Sequence, residues 1–208
     1  MQPLHCITNA ISSENLVLFL HGNSVDNTCF SNLIDNINNW KVIAPDFLGH
    51  GKSPRLEADE YNVSNFIQCL VDVLEKESYK KLVIIGHSFG GNMAIELLNK
   101  IKVDGICLMG SAPLTYTSDD VPYLQVPDLV LTDNPSQNEL IIDAFLRNFS
   151  TAPLTIDYLK ETFANTDPVF RDRLLEELYA GAFSDQLLLL EANPQAKICI
   201  MYGSEDRV

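Results

Sequence analysis

Basic residues are scarce in this sequence: 14 Lys and Arg stand against 28 Asp and Glu, a formal net charge of −14 over 208 residues. A chain so acidic has no broad cationic face with which to gather phosphates, so nucleic acid is not an expected partner. Long apolar runs are also lacking, since no stretch approaches the roughly 20 residues needed to span a bilayer. The opening residues Met1 to Thr8 contain neither a basic segment nor the apolar run of a secretory signal. A cytoplasmic protein without membrane insertion is the expectation. The five cysteines (Cys6, Cys29, Cys69, Cys107, Cys199) are odd in number and widely scattered, with no zinc-site spacing. They read as reduced core thiols rather than a disulfide framework. Ten Gly and ten Pro are too few for a collagen-like or low-complexity chain, and 46% hydrophobic residues suit one sizeable core or two very small ones.

What is present is an alternation of short apolar runs with longer segments of helical period. Leu16–Leu20, Val42–Ala44, Leu82–Ile85, Ile106–Met109 and Ile198–Tyr202 read as parallel strands buried on both faces. Cys29–Ile37, Tyr61–Glu77 and Asn92–Ile101 carry apolar residues three and four apart. In the second of these, Val63, Phe66, Ile67, Leu70, Val71 and Leu74 form a single stripe that predicts a helix laid on a sheet. Strand and helix in alternation define an α/β fold, whose chemistry belongs at the carboxyl ends of the strands. From about Ala112 to Asn193 the rhythm breaks into helical patterns alone: Asn138–Phe149, Ile156–Phe163, Val169–Tyr179 and Phe183–Glu191. Most of the negative charge lies here, with 14 acidic and 4 basic residues between positions 111 and 195.

The strongest chemical signal is Gly86-His87-Ser88-Phe89-Gly90-Gly91, set between a strand and a helical pattern. Glycines on both sides of a serine permit a sharp strand-to-helix turn that exposes the hydroxyl at the sheet edge. A nucleophilic serine requires donors for an oxyanion, one from the residue after it and one from a neighbouring strand-end loop. The backbone N–H of Phe89 fits the first place. The N–H of Asn23, in His21-Gly22-Asn23-Ser24 after Leu16–Leu20, fits the second.

With these blocks in order, the sequence resembles the α/β-hydrolase fold superfamily, in the serine, esterase-like branch that has a helical cap. Its matching blocks are His21-Gly22, Asp46-Phe47-Leu48-Gly49-His50-Gly51-Lys52-Ser53 and Gly86-His87-Ser88-Phe89-Gly90-Gly91. The resemblance implies a mostly parallel sheet flanked by helices: core residues 1–111, a helical cap at 112–193, and a core strand with the acid loop at 194–208. It makes Asp46 to Ser53 a structural loop. It implies a serine hydrolase that acts through an acyl-enzyme on a small-molecule carboxylic ester, thioester or lactone, with no metal or organic cofactor. The family's G-x-x-D turn matches Gly203 to Asp206, so Asp206 is the expected acid, with Glu205 second. An anionic substrate would meet an acidic cap unless Arg147 or Arg171 supplied a local counter-charge.

In the family the histidine base follows the acid by some tens of residues, and nothing follows Val208. His5, His21, His50 and His87 are expected to be structural. The expectation is therefore of a chain that stops short of its last strand, histidine loop and closing helix, weakly active alone, with the Ile198 strand left as an apolar edge. The competing reading is a non-hydrolytic small-molecule binder that keeps the fold and pocket.

Overall fold

A computed structural model describes residues 3–115 and 153–204. Six strands form one sheet: β1 Cys6–Thr8, β2 Asn15–Leu20, β3 Lys41–Pro45, β4 Lys81–His87, β5 Gly105–Met109 and β6 Lys197–Met201, in the spatial order β1-β3-β2-β4-β5-β6. β1 is antiparallel to β3 and every other pair is parallel. The alternation of side chains divides β2 between two cores. Leu16, Leu18 and Leu20 face the larger core, with Leu82, Ile84, Ile106 and Leu108 from β4 and β5. Val17 and Phe19 face a smaller one, closed by Phe30 and by Ile34 of α1 (Ser31–Asn36).

Two helices cover the larger face. α2 (Val63–Leu74) begins where the Asn62 side chain accepts from the Asn65 N–H, and its stripe of Phe66, Ile67, Leu70 and Leu74 is buried as expected. α3 (Phe89–Glu96) is buried almost throughout and tightens into a 3-10 turn at Leu97–Asn99. Among the described residues, the opposite face is covered only toward β2 and β3. The expectation that all the parallel strands are buried on both faces therefore fails progressively across the sheet. Val83 and Ile85 of β4 and Cys107 and Met109 of β5 are half-buried, and β6 is exposed along its whole length. β6 is the edge strand, with Ile200 53% exposed.

Between β5 and β6 come α4 (Pro153–Asn165), α5 (Pro168–Tyr179) and α6 (Gln186–Glu191). They contain the helical patterns expected at Ile156–Phe163 and Val169–Tyr179; the pattern at Asn138–Phe149 lies outside the described residues. The pattern from Phe183 becomes helical only at Gln186, because Asp185 caps the helix by accepting from the Leu188 N–H. Ser184 is engaged elsewhere, on Glu96.

That engagement is part of a buried polar clamp. The Glu96 carboxylate accepts from the Ser184 N–H (2.9 Å), the Ser184 hydroxyl (2.8 Å) and Gln186 Nε2 (3.0 Å). Gln186, fully buried, accepts at Oε1 from Asn92 Nδ2 (2.9 Å) and the Leu114 N–H (3.0 Å). One amide thus pins to α3 both the segment leaving β5 and the segment returning toward β6. A second anchor lies at α5, where Asp167 accepts from the Tyr61 hydroxyl (2.8 Å) and donates its N–H to the Gly49 carbonyl (2.8 Å). Leucine at position 186 would strip these partners from buried groups. Gln186→Leu is expected to cost about 3 kcal/mol by urea denaturation and to speed proteolysis of residues 112–186; unchanged values for both would refute the clamp.

Candidate active site

The strand registers bring the functional blocks to one edge. His87 is level with Met109, Met109 with Met201, and Leu20 with Gly86, so Ser88, Gly110, Tyr202 and His21 all leave the sheet together at its carboxyl side. Two hydrogen bonds fasten this edge beyond the strands. The Ser88 N–H donates to Met109 O (3.0 Å), and the Gly110 N–H donates to Met201 O (2.8 Å).

Ser88 occupies φ 51°, ψ −121°, a conformation that costs a non-glycine residue about 1–3 kcal/mol. The surroundings hold it there through backbone contacts that admit no Cβ. A Cβ on Gly90 would lie 2.2 Å from Leu20 O, and one on Gly86 would lie 2.4 Å from Gly90 O. A Cβ on Gly22 would lie 2.8 Å from His87 Nδ1 and 3.4 Å from Ser88 Cβ. The His21-Gly22-Asn23 turn therefore packs directly against the serine. Phe89 is the first residue of α3, where an N–H has no acceptor in its own helix. Its ring is locked among Phe47, Phe66 and Phe170, at centroid distances of 5.1, 5.6 and 5.6 Å. Asn23 follows Gly22 in this turn, and its side chain accepts from the Ser24 hydroxyl (2.9 Å).

The histidines are committed to holding loops. Fully buried His21 donates from Nδ1 to Gly22 O (2.7 Å) and accepts at Nε2 from the Phe47 N–H (2.9 Å). His50, equally buried, accepts from the Ser24 N–H (3.2 Å) and donates to Leu48 O (3.0 Å). Each ring is used at both nitrogens as the neutral tautomer. Burial lowers His21 to a pKa of about 4 against the opposing pull of its Gly22 bond, and burial together with neighbouring His21 lowers His50 well below the ordinary value. The His87 ring rests on Gly22, beside rather than over the serine. His5 meets Asp46 (2.9 Å).

Asp46 is a knot that the sequence reading assigned only to a structural loop. Its buried carboxylate accepts from the Asn27 N–H (2.8 Å), the Lys52 N–H (2.9 Å) and His5, and its carbonyl accepts from the Ser53 hydroxyl (2.7 Å). Gly51, at φ 50°, leaves room for it; a Cβ there would lie 2.4 Å from the carboxylate.

The expected acid Asp206 and its competitor Glu205 lie outside the described residues, as does Arg147. Arg171 is buried: Nη1 donates to Phe163 O (3.2 Å) and the guanidinium lies 4.1 Å from the Phe163 ring centroid. It is not a surface counter-charge for substrate. The Glu96 clamp was not foreseen, although one carboxylate inside the apolar run Met93–Leu98 was its visible sign. Among the described residues, no group of three or more His, Cys, Asp or Glu is placed to hold a metal ion, and no helix is long and apolar enough to cross a membrane.

A parallel sheet with a strained serine between strand and helix, backed by a histidine-glycine turn, is the framework of an elbow-type α/β protein. The profile of the alpha/beta hydrolase fold matches residues 15–196. The chain belongs to that family. A Mycoplasma genitalium protein assigned as esterase/lipase 2 is 25% identical over 153 residues, covering 71% of this chain and 56% of that protein; the chain thus spans little more than half of that relative. The 2-hydroxymuconate semialdehyde hydrolase of Pseudomonas sp. (strain CF600) is 28% identical over 210 residues, covering 92% and 70%. The crystal structure of the N-acyl homoserine lactonase AidH with N-butanoyl homoserine superposes with a TM-score of 0.81 at 24% identity, over 96% of this chain and 73% of that one; this similarity is one of fold.

Two predictions follow from the packing. Gly90→Ala is expected to lose about 3 kcal/mol or more, because the obstacle is backbone, whereas Gly105→Ala, whose nearest contact is 3.4 Å, is expected to stay within about 1 kcal/mol of the parent by urea denaturation. For His21, the unfolded imidazole binds a proton below about pH 6.5 while the buried ring resists until about pH 4. Stability is therefore lost as pH falls between these values, by roughly 3 kcal/mol from His21, with His50 adding in the same direction. Denaturation midpoints that stay flat from pH 7 to 4.5 would contradict the neutral, buried rings.

Proposed function

We propose that this chain carries the nucleophile of a serine hydrolase that acts on a small-molecule carboxylic ester, thioester or lactone through an acyl-enzyme. The observation that carries the reading is Ser88 at φ 51° on the β4-to-α3 turn with the Gly22 turn packed against it. A protein that merely binds a ligand has no use for this strain, whereas an elbow needs it to present a hydroxyl. Ser88 Oγ attacks the substrate carbonyl, and the N–H groups of Phe89 and Asn23 receive the oxyanion. Collapse expels the alcohol, thiol or ring oxygen and leaves an acyl-serine, which water then cleaves. Asp206 is the acid that orients the base. The strand that leads toward it, β6, ends at the same edge of the sheet as β4 and the elbow, which supports this role.

None of His5, His21, His50 and His87 is assigned as the base: the first three rings are occupied in the loops they hold, and the His87 ring lies against Gly22. The helices between β5 and β6 act as the cap over the edge and shape the acyl pocket. Hydrolase and lactonase names among the similar proteins agree with hydrolysis of a small molecule.

The test is turnover of p-nitrophenyl acetate and butyrate by the protein as its gene encodes it, beside Ser88→Ala. Loss of kcat by about 10^3-fold or more is expected, with the thermal transition unchanged or raised, since alanine removes a hydroxyl and no packing contact. Equal rates in the two proteins would remove Ser88 from the mechanism.

A further inference from the structure

The face of the sheet that α1 leaves uncovered carries two cysteines that the Ser88 chemistry does not use. Cys107 of β5 and Cys199 of β6 are directly paired in the parallel register. Paired residues of adjacent parallel strands project to the same face with Cα atoms roughly 5 Å apart, inside the range that a disulfide bridges. Their thiols lie within hydrogen-bonding reach of one another. Cys199 is exposed and Cys107 half-buried, so an oxidant reaches the pair without unfolding. Cys6, Cys29 and Cys69 lie on other elements.

The placement of the pair gives it a consequence. The chain between the two cysteines contains α4, α5 and α6, and among the described residues β6 is the strand least covered by other elements. We propose that Cys107 and Cys199 form a reversible dithiol–disulfide site that, when oxidised by a small disulfide, staples β6 to β5 and closes the intervening helical segment into a covalent loop. The exposed Cys199 thiolate attacks the small disulfide, forming a mixed disulfide and releasing one thiolate. Cys107, as thiolate, then attacks the Cys199 sulfur and expels the second. Two protein thiols are oxidised and one disulfide is reduced to two thiols, so the electrons balance. Burial raises the Cys107 thiol pKa, and Cys199 beside it adds to the shift, which assigns the first attack to Cys199. The site is independent of the reaction at Ser88.

The experiment incubates the whole protein with oxidised glutathione, blocks remaining thiols, and maps peptides by mass spectrometry. A linked Cys107–Cys199 peptide is expected, together with a melting temperature raised by roughly 5–10 °C and restored by dithiothreitol. A chain nicked between the two positions should migrate as one species without reductant and as two with it. Cys107→Ser and Cys199→Ser should each abolish the shift while keeping the parent melting temperature under reducing conditions. The proposal is overturned if the product is only a glutathione adduct at Cys199, or only a Cys199-linked dimer, or if the linked peptide forms without raising the melting temperature. Peptide mapping of the parent protein decides the matter even if a variant fails to fold.

Discussion

The rest of the molecule depends on a contact between main chains. Gly90, at the start of α3, abuts the carbonyls of Leu20 and His21, so the helix after Ser88 and the loop after β2 meet with no side chain between them. Such an approach closes the turn tightly enough to hold Ser88 in its left-handed conformation. It also sets the distance between the serine and the His21-Gly22-Asn23 turn. Any substitution that widened this contact would displace both at once, since neither has a side-chain spacer to absorb the change.

Around this contact the protein uses neutral imidazoles and buried carboxylates as fasteners. His21 and His50 each bridge two backbone groups, and Asp46 gathers Asn27, Lys52 and His5. Glu96 and Gln186 do the same for the stems of the helical segment between β5 and β6. The aromatic rings of Phe47, Phe66, Phe89 and Phe170 fill the space between these fasteners and link α2, α3 and α5. Among the described residues, these histidines and carboxylates are thus already engaged in holding loops, while Ser88 stands strained at the edge.

The fold was legible where periodicity and glycine placement report local physics. The strands of the parallel sheet, the stripe of α2 and the strand-turn-helix around Ser88 all stand where apolar spacing puts them. The antiparallel pairing of β1 was not legible, because three residues carry no period. Nor was the fading burial from β4 to β6, since an apolar strand reads alike whether one face or both are covered. The packing of the Gly22 turn against Ser88 followed from the order of the motifs. The clamp at Gln186 did not: its partners lie 72 to 94 residues away in sequence, and a lone buried glutamine has no pattern. Arg171 looked available by charge alone, but its stacking on Phe163 is a tertiary fact.

The pinning of both stems to α3 by one amide has an evolutionary reading. The chain between Leu114 and Ser184 begins and ends at a common fixed point on the helix that follows the serine. Apart from the anchors at Asp167 and Phe170, which reach Tyr61, Gly49 and Phe89, change in that stretch is buffered from the backbone at Ser88 by Gln186 and Glu96. Selection for a different ligand would then act on one exchangeable module while the apparatus beneath it drifts little. The turn at Ser88 and the segment between β5 and β6 then become separately heritable parts of a single chain.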